Sequence, residues 1–127
     1  MFGIKRNTTD ALFSELVRRK ANWTCERCGG NFENQKEIFD CSHFYSRKNR
    51  AVRFDFENAS GLCRACHFYF GEHPGEHAEF FLKRLGREKY DLLSIRAHIP
   101  TKIDEKAIRM GLRLMLKSLD SKILGKH

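Results

Sequence analysis

No apolar run in the 127 residues approaches the ~18 needed to cross a bilayer, and no charged segment followed by an apolar core opens the chain. Neither a membrane span nor a secretion signal is expected, so the chain reads as soluble and intracellular. Acid is also in short supply. Sixteen Asp and Glu face 24 Lys and Arg, a formal charge of +8 with a pI near 9.5. Such an excess speaks of partners and not of fold, and it favours an anionic polymer, DNA first. Internal repeats, low-complexity segments and linkers are lacking too, and the length suits one domain with one modest core.

Cysteine is present in a telling arrangement. Four of the five fall into two C-x-x-C pairs, Cys25/Cys28 and Cys63/Cys66, and Cys41 stands alone. In a chain without a secretion signal, disulfides between such close residues are not expected, whereas two such pairs supply four thiolates to one tetrahedral zinc. The 34 residues between Cys28 and Cys63 must then form a structured excursion that returns to the metal. Cys41 is expected to be a small buried apolar residue.

Coarse patterning places the rest. Thr8, Thr9 and Asp10 offer cap oxygens ahead of Leu12, Phe13, Leu16 and Val17 at helical spacing, predicting a helix over 9–20. Ile38 to Tyr45 and Ala51 to Phe56 are rich in aromatic and β-branched residues around the polar stretch SRKNR, and predict a β-hairpin with a basic connection. A helix can begin at Cys63 and end by Gly71, Pro74 and Gly75. Two more are expected over 76–85 and 87–98, punctuated by Gly86 and stopped by Pro100, and a last one from Asp104 to Leu119. Its wide apolar stripe, Ile108, Leu112, Met115 and Leu119, can pack on the first helix or on a symmetry mate in a homodimer.

If one zinc draws Cys28 and Cys63 together, the hairpin lies over the helix that starts near His67. His43 and His67 can then share a site. Asn58, five residues before Cys63, can accept a hydrogen bond from an imidazole nitrogen or brace the loop.

In order and spacing, Cys25-x-x-Cys28, His43, Asn58 and Cys63-x-x-Cys66-His67 resemble the HNH endonucleases of the ββα-metal (His-Me finger) fold, in the branch clamped by a four-cysteine zinc. Within it the chain is most similar to phage recombination nucleases of the NinG and endonuclease VII types. The likeness covers about residues 23–75. It implies an α+β domain: an N-terminal helix within 1–22, the zinc-clamped core over 23–75 and a helical part over 76–127. It further implies a metal-dependent DNA endonuclease that nicks or cleaves duplex or branched DNA, in a bacterial or phage-encoded cytoplasmic setting. His43 would be the general base, Asn58 would orient it, and His67 would ligate a catalytic Mg²⁺, Mn²⁺ or other divalent ion. Phosphodiester hydrolysis needs such a base, with a pKa near neutrality, and a cation to neutralise the developing charge.

One position departs from the pattern. Ser42 stands where most of the family has an Asp ligand, so help for His67 is expected from His73 first, then from Asp40, Cys41 or water. Arg47, Lys48, Arg50 and Arg53 form a run without an acid and are expected to anchor phosphates, Arg47 and Arg53 foremost. The competing classes are a non-catalytic zinc-stabilised DNA-binding module, for which Ser42 is the best argument, and a dimeric resolvase of DNA junctions.

Overall fold

The computed structural model describes residues 5–124, with side chains to residue 121, so the outermost parts of the terminal segments 1–22 and 76–127 lie outside the description. Among the described residues it is an α+β arrangement of five α-helices and one two-stranded antiparallel sheet. α1 runs Thr8–Lys20. Its cap is Asn7, whose side chain accepts from the Asp10 amide while the Asp10 carboxylate accepts from the Asn7 amide. This reciprocal pair satisfies two of the amides a helix start leaves open.

The strands are β1, Phe39–His43, and β2, Ala59–Cys63, followed directly by α2, Arg64–Glu72. The strand that pairs with β1 is therefore not Ala51–Phe56, as the aromatic and β-branched content predicts. That stretch folds into tight turns, with Val52 and Arg53 buried within them. Small residues form β2 instead, because this strand is buried along its whole length. Its middle residue, Gly61, lies so close to Ala21 and the Phe39 ring that a Cβ would sit 2.9 Å from each.

Opposed residues across the ladder share a face: Cys41 with Gly61 and His43 with Ala59 on one side, Asp40 with Leu62 and Ser42 with Ser60 on the other. The face of Cys41 and His43 is turned toward α1, since His43 lies 5.6 Å from the Phe13 ring. The face of Asp40 and Ser42 is turned toward α2, where Asp40 meets His67. Two apolar clusters flank the sheet. Cys25, Phe39, Leu62, Cys63, Cys66 and Phe70 surround the cysteine site, while Phe13, Leu16, Val17 and Ala59 close over Leu112.

Three helices complete the chain: α3, Pro74–Leu85, α4, Arg87–His98, and α5, Glu105–Leu124. α5 lies on α1 of the same chain, through Ile108, Leu112, Leu116 and Leu119, and leaves Met110, Leu114 and Met115 exposed. α4 fastens the connection between the strands. Arg96 bridges to Asp55 and Glu57, and the Asn49 side chain donates to the Ala97 carbonyl at 2.8 Å. No helix is long and apolar enough to cross a membrane among the described residues.

Candidate functional site

The sulfurs of Cys25, Cys28, Cys63 and Cys66 all lie within 4.8 Å of one another, with Cys28 and Cys63 4.0 Å apart. A tetrahedron with Zn–S bonds of ~2.3 Å has edges of about 3.8 Å, so the four are positioned to hold one metal ion and suit structural zinc. Local backbone makes this possible. Gly29, at φ +80°, turns the first pair tightly, and the Cys28 amide points at the Cys25 sulfur. Burial works against a Cys25 thiolate. Amide donors from Cys28, Cys63 and Arg27 outweigh it and bring this thiol down to about 7. Cys66 is pushed up to about 12 by burial and by its sulfur neighbours, against the donation of Arg27. Four sulfurs so close cannot all ionise without a cation among them. Arg27, 3.3 Å from the Cys66 sulfur and stacked on Tyr69, adds positive charge at the rim.

His43 ends β1. Its Nε2 lies 3.0 Å from the Arg53 carbonyl, and because a carbonyl only accepts, Nε2 carries the proton and Nδ1 keeps the lone pair. Burial lowers the His43 pKa, and the nearby Arg47 and Arg53 charges add to that, against the carbonyl and Asp10. The ring is consequently neutral and basic at neutral pH.

The Asn58 side chain bonds to the loop and not to this ring. It is fully buried, accepts from the Tyr45 amide at 2.8 Å, and donates to the carbonyls of Tyr45 and Val52 at 2.9 and 3.1 Å. With the Phe44 amide on its own carbonyl, it ties the end of β1 to the turn that carries Arg53.

On the α2 side, His67 Nδ1 lies 3.1 Å from an oxygen of Asp40, whose carboxylate also receives Arg64 at 3.0 Å. Burial would raise the Asp40 pKa, but Arg64 and His67 hold it below the usual carboxylate value. At this distance the two side chains are hydrogen-bonded to each other, and both carry atoms of the kinds that ligate divalent ions. Ser42, one ladder step along the same face, is buried, and its Oγ has no hydrogen-bond partner among the described residues.

Two clefts, of about 600 and 660 Å³, meet at Asp40, His43, Arg64 and His67. Both take residues from either face of β1 and none from β2, and His43 and His67 line both of them. The 600 Å³ cleft is ringed by Arg6, Arg18, Lys36, Arg47 and Arg64. His73 lines neither cleft. Its ring is exposed and stacked on Tyr69 at 4.0 Å, with Nδ1 2.8 Å from the Tyr69 carbonyl.

The basic run divides accordingly. Lys48 and Arg50 are exposed, Arg50 3.9 Å from Glu105, and Arg47 reaches Asp10 at 3.4 Å from the cleft wall. Arg53 is 2 % exposed and grips Asp10, itself 5 % exposed, through two bonds of 3.0 and 2.6 Å. Its guanidinium faces α1, and its place is in the interior and not on a phosphate. Arg6, Lys36 and Arg64 escape a search for charge runs because each comes from a different segment, and Arg18, in the run Arg18-Arg19-Lys20, reads as the basic end of a helix. Asp40 was accessible to strand alternation, which puts positions 40 and 42 on one face. Comparisons with protein-family models, with curated proteins and with solved structures gave no match to this chain.

Proposed function

We propose that the chain is a metal-dependent DNA endonuclease of the HNH type, with a ββα-metal core formed by β1, β2 and α2. The observation that carries this reading is a neutral imidazole fixed by a backbone carbonyl, lining the same cleft as the Asp40–His67 pair amid five cationic side chains. His43 Nδ1 takes the proton of the attacking water while Nε2 stays on the Arg53 carbonyl, which steadies the imidazolium as it forms. Asp40 and His67 are the residues that would hold a divalent ion, which would supply charge neutralisation on the phosphate and the leaving oxygen. Asp40 thus takes the part of the acid that Ser42 lacks, two residues along the same face. Arg47 and Arg64, with Arg6, Arg18 and Lys36, anchor the flanking phosphates irrespective of sequence.

The test is nicking of supercoiled plasmid with Mg²⁺ or Mn²⁺ by the zinc-loaded protein, beside His43→Ala and Asp40→Asn. Loss of nicking in His43→Ala, and a raised metal requirement in Asp40→Asn, are expected. A retained gel shift with no nicking under either metal would leave a zinc-stabilised DNA-binding module instead.

A further inference from the structure

The 660 Å³ cleft has a chemistry different from its basic neighbour. Its outer wall is apolar, built from Phe68, Phe70 and Gly71 of α2, with the His77 ring stacked on Phe70 at 4.8 Å. Phe68 follows His67 directly and is 69 % exposed, and among the described residues it joins no ring pair. Leaving a phenyl ring in water opposes the apolar transfer that drives folding, so a face of this kind is a place to seek a ligand. Among the described residues three polar side-chain atoms lie buried without a hydrogen-bond partner, Ser42 Oγ, Ser60 Oγ and His77 Nε2, and Ser42 and His77 line this cleft. Orphaned buried groups are uncommon in native structures, and each asks for a partner that the chain itself does not provide.

An occupant must therefore be flat and apolar on its faces, polar along its edge, and attached to something that reaches Arg64 and the Asp40–His67 pair. We infer that this cleft is a subsite for a single nucleobase, unstacked from its neighbours and adjacent to the phosphate being cut, with Phe68 as its stacking platform and Ser42 and His77 meeting its edge. The inference rests on the nuclease reading and adds a preference to it. A base inside a continuous duplex hides its faces in the stack, whereas one in a single strand or a bulge exposes them. Stacking on an aromatic side chain is tolerant of sequence, so the preference is for an unpaired base and not for a particular one.

The test uses the full zinc-loaded chain in the His43→Ala background, which keeps the DNA intact. The probes are oligonucleotides carrying 2-aminopurine in a single strand, in a one-base bulge, or in a sealed duplex. The single strand and the bulge are expected to bind more tightly than the sealed duplex and to lose 2-aminopurine fluorescence on binding. Adding Phe68→Ala, on the surface and harmless to the fold, is expected to weaken both by about 5- to 150-fold and to leave the duplex unchanged, while Phe68→Tyr retains the parent affinity. Equal affinity for all three probes, or no loss with Phe68→Ala, overturns the inference and leaves the nuclease reading in place. So does a change from dimer to monomer in Phe68→Ala with no change in base preference, because the ring would then serve a second copy of the chain. Absence of binding to any probe removes the nuclease reading and the subsite together.

Discussion

Replacing Arg53 with Ala should act on stability and leave phosphate contact untouched. Asp10 and Arg53 form a two-bond ion pair sealed between α1 and the turn before β2, both almost wholly buried. Removing one partner of such a pair strands the other charge and typically costs ~3–5 kcal/mol. The Asp10 carboxylate would keep the Asn7 amide at 2.9 Å and Arg47 at 3.4 Å, which favours the lower end, about 3 kcal/mol. In a domain of this size that is a fall in Tm of about 12 °C. A double-mutant cycle with Asp10→Asn should return a coupling of about 1–3 kcal/mol. Burial pushes the Asp10 pKa up, but the Arg53 bond, the Asn7 amide and the Arg53 and Arg47 charges together hold it below the ordinary 3.8. A lowered carboxylate pKa stabilises the fold above the ordinary carboxylate range, and that stability is lost as acid protonates the group in the folded state. The same destabilisation is therefore expected at pH 6 and pH 8, shrinking only in strong acid. Chemical denaturation of both proteins, with DNA affinity measured against salt, separates the two roles. A loss under ~1 kcal/mol, together with a salt slope shallower by about one, would refute the structural role and return Arg53 to the phosphates.

Exchanging Cys66 for Ser should unfold the domain and not merely inactivate it, because structural zinc supplies ~10–16 kcal/mol against a usual net stability of ~5–15. Metal analysis should give one zinc per chain, and a cooperative melt indifferent to strong chelator would contradict both. The pH profile of nicking should rise with pH through a midpoint below 6.5, since burial lowers the His43 pKa and only the unprotonated ring serves as base. A midpoint at or above 6.5 would show that this imidazole is not the titrating group. Gly61→Ala should cost ~1–3 kcal/mol by overpacking, as the new methyl meets Ala21 and Phe39 at 2.9 Å, and an unchanged denaturation midpoint would show that the sheet gives way freely.

What could be read from the chain alone depended on how far apart the interacting residues lie. The cysteine cluster was legible because each C-x-x-C pair is a local pattern and two of them complete one coordination shell. The capping residues of α1 were nearly so, displaced by one position to Asn7. β2 was hidden because Ala59-Ser60-Gly61-Leu62-Cys63 carries little strand propensity, and tertiary burial, not local preference, extends it. The role of Arg53 was hidden for a different reason. A run of four basic residues does not announce which one turns inward, and the acid that selects it lies 43 positions away. Strand alternation did contain the link between Asp40 and Ser42, while the expectation for His73 came from the likeness to phage nucleases, and its ring lies against Tyr69 outside both clefts.

The ion pair reaches further than its own energy. Asp10 belongs to a helix outside the stretch that resembles a nuclease core, yet it grips the residue whose carbonyl fixes the His43 proton. A fragment trimmed to residues 23–75 would keep the four cysteines and every signature residue, and still lose the ion pair that holds the residue on which the His43 ring rests. If the proposed nuclease reading holds, the leading helix belongs to the site, and the smallest active unit of this chain is larger than its motif.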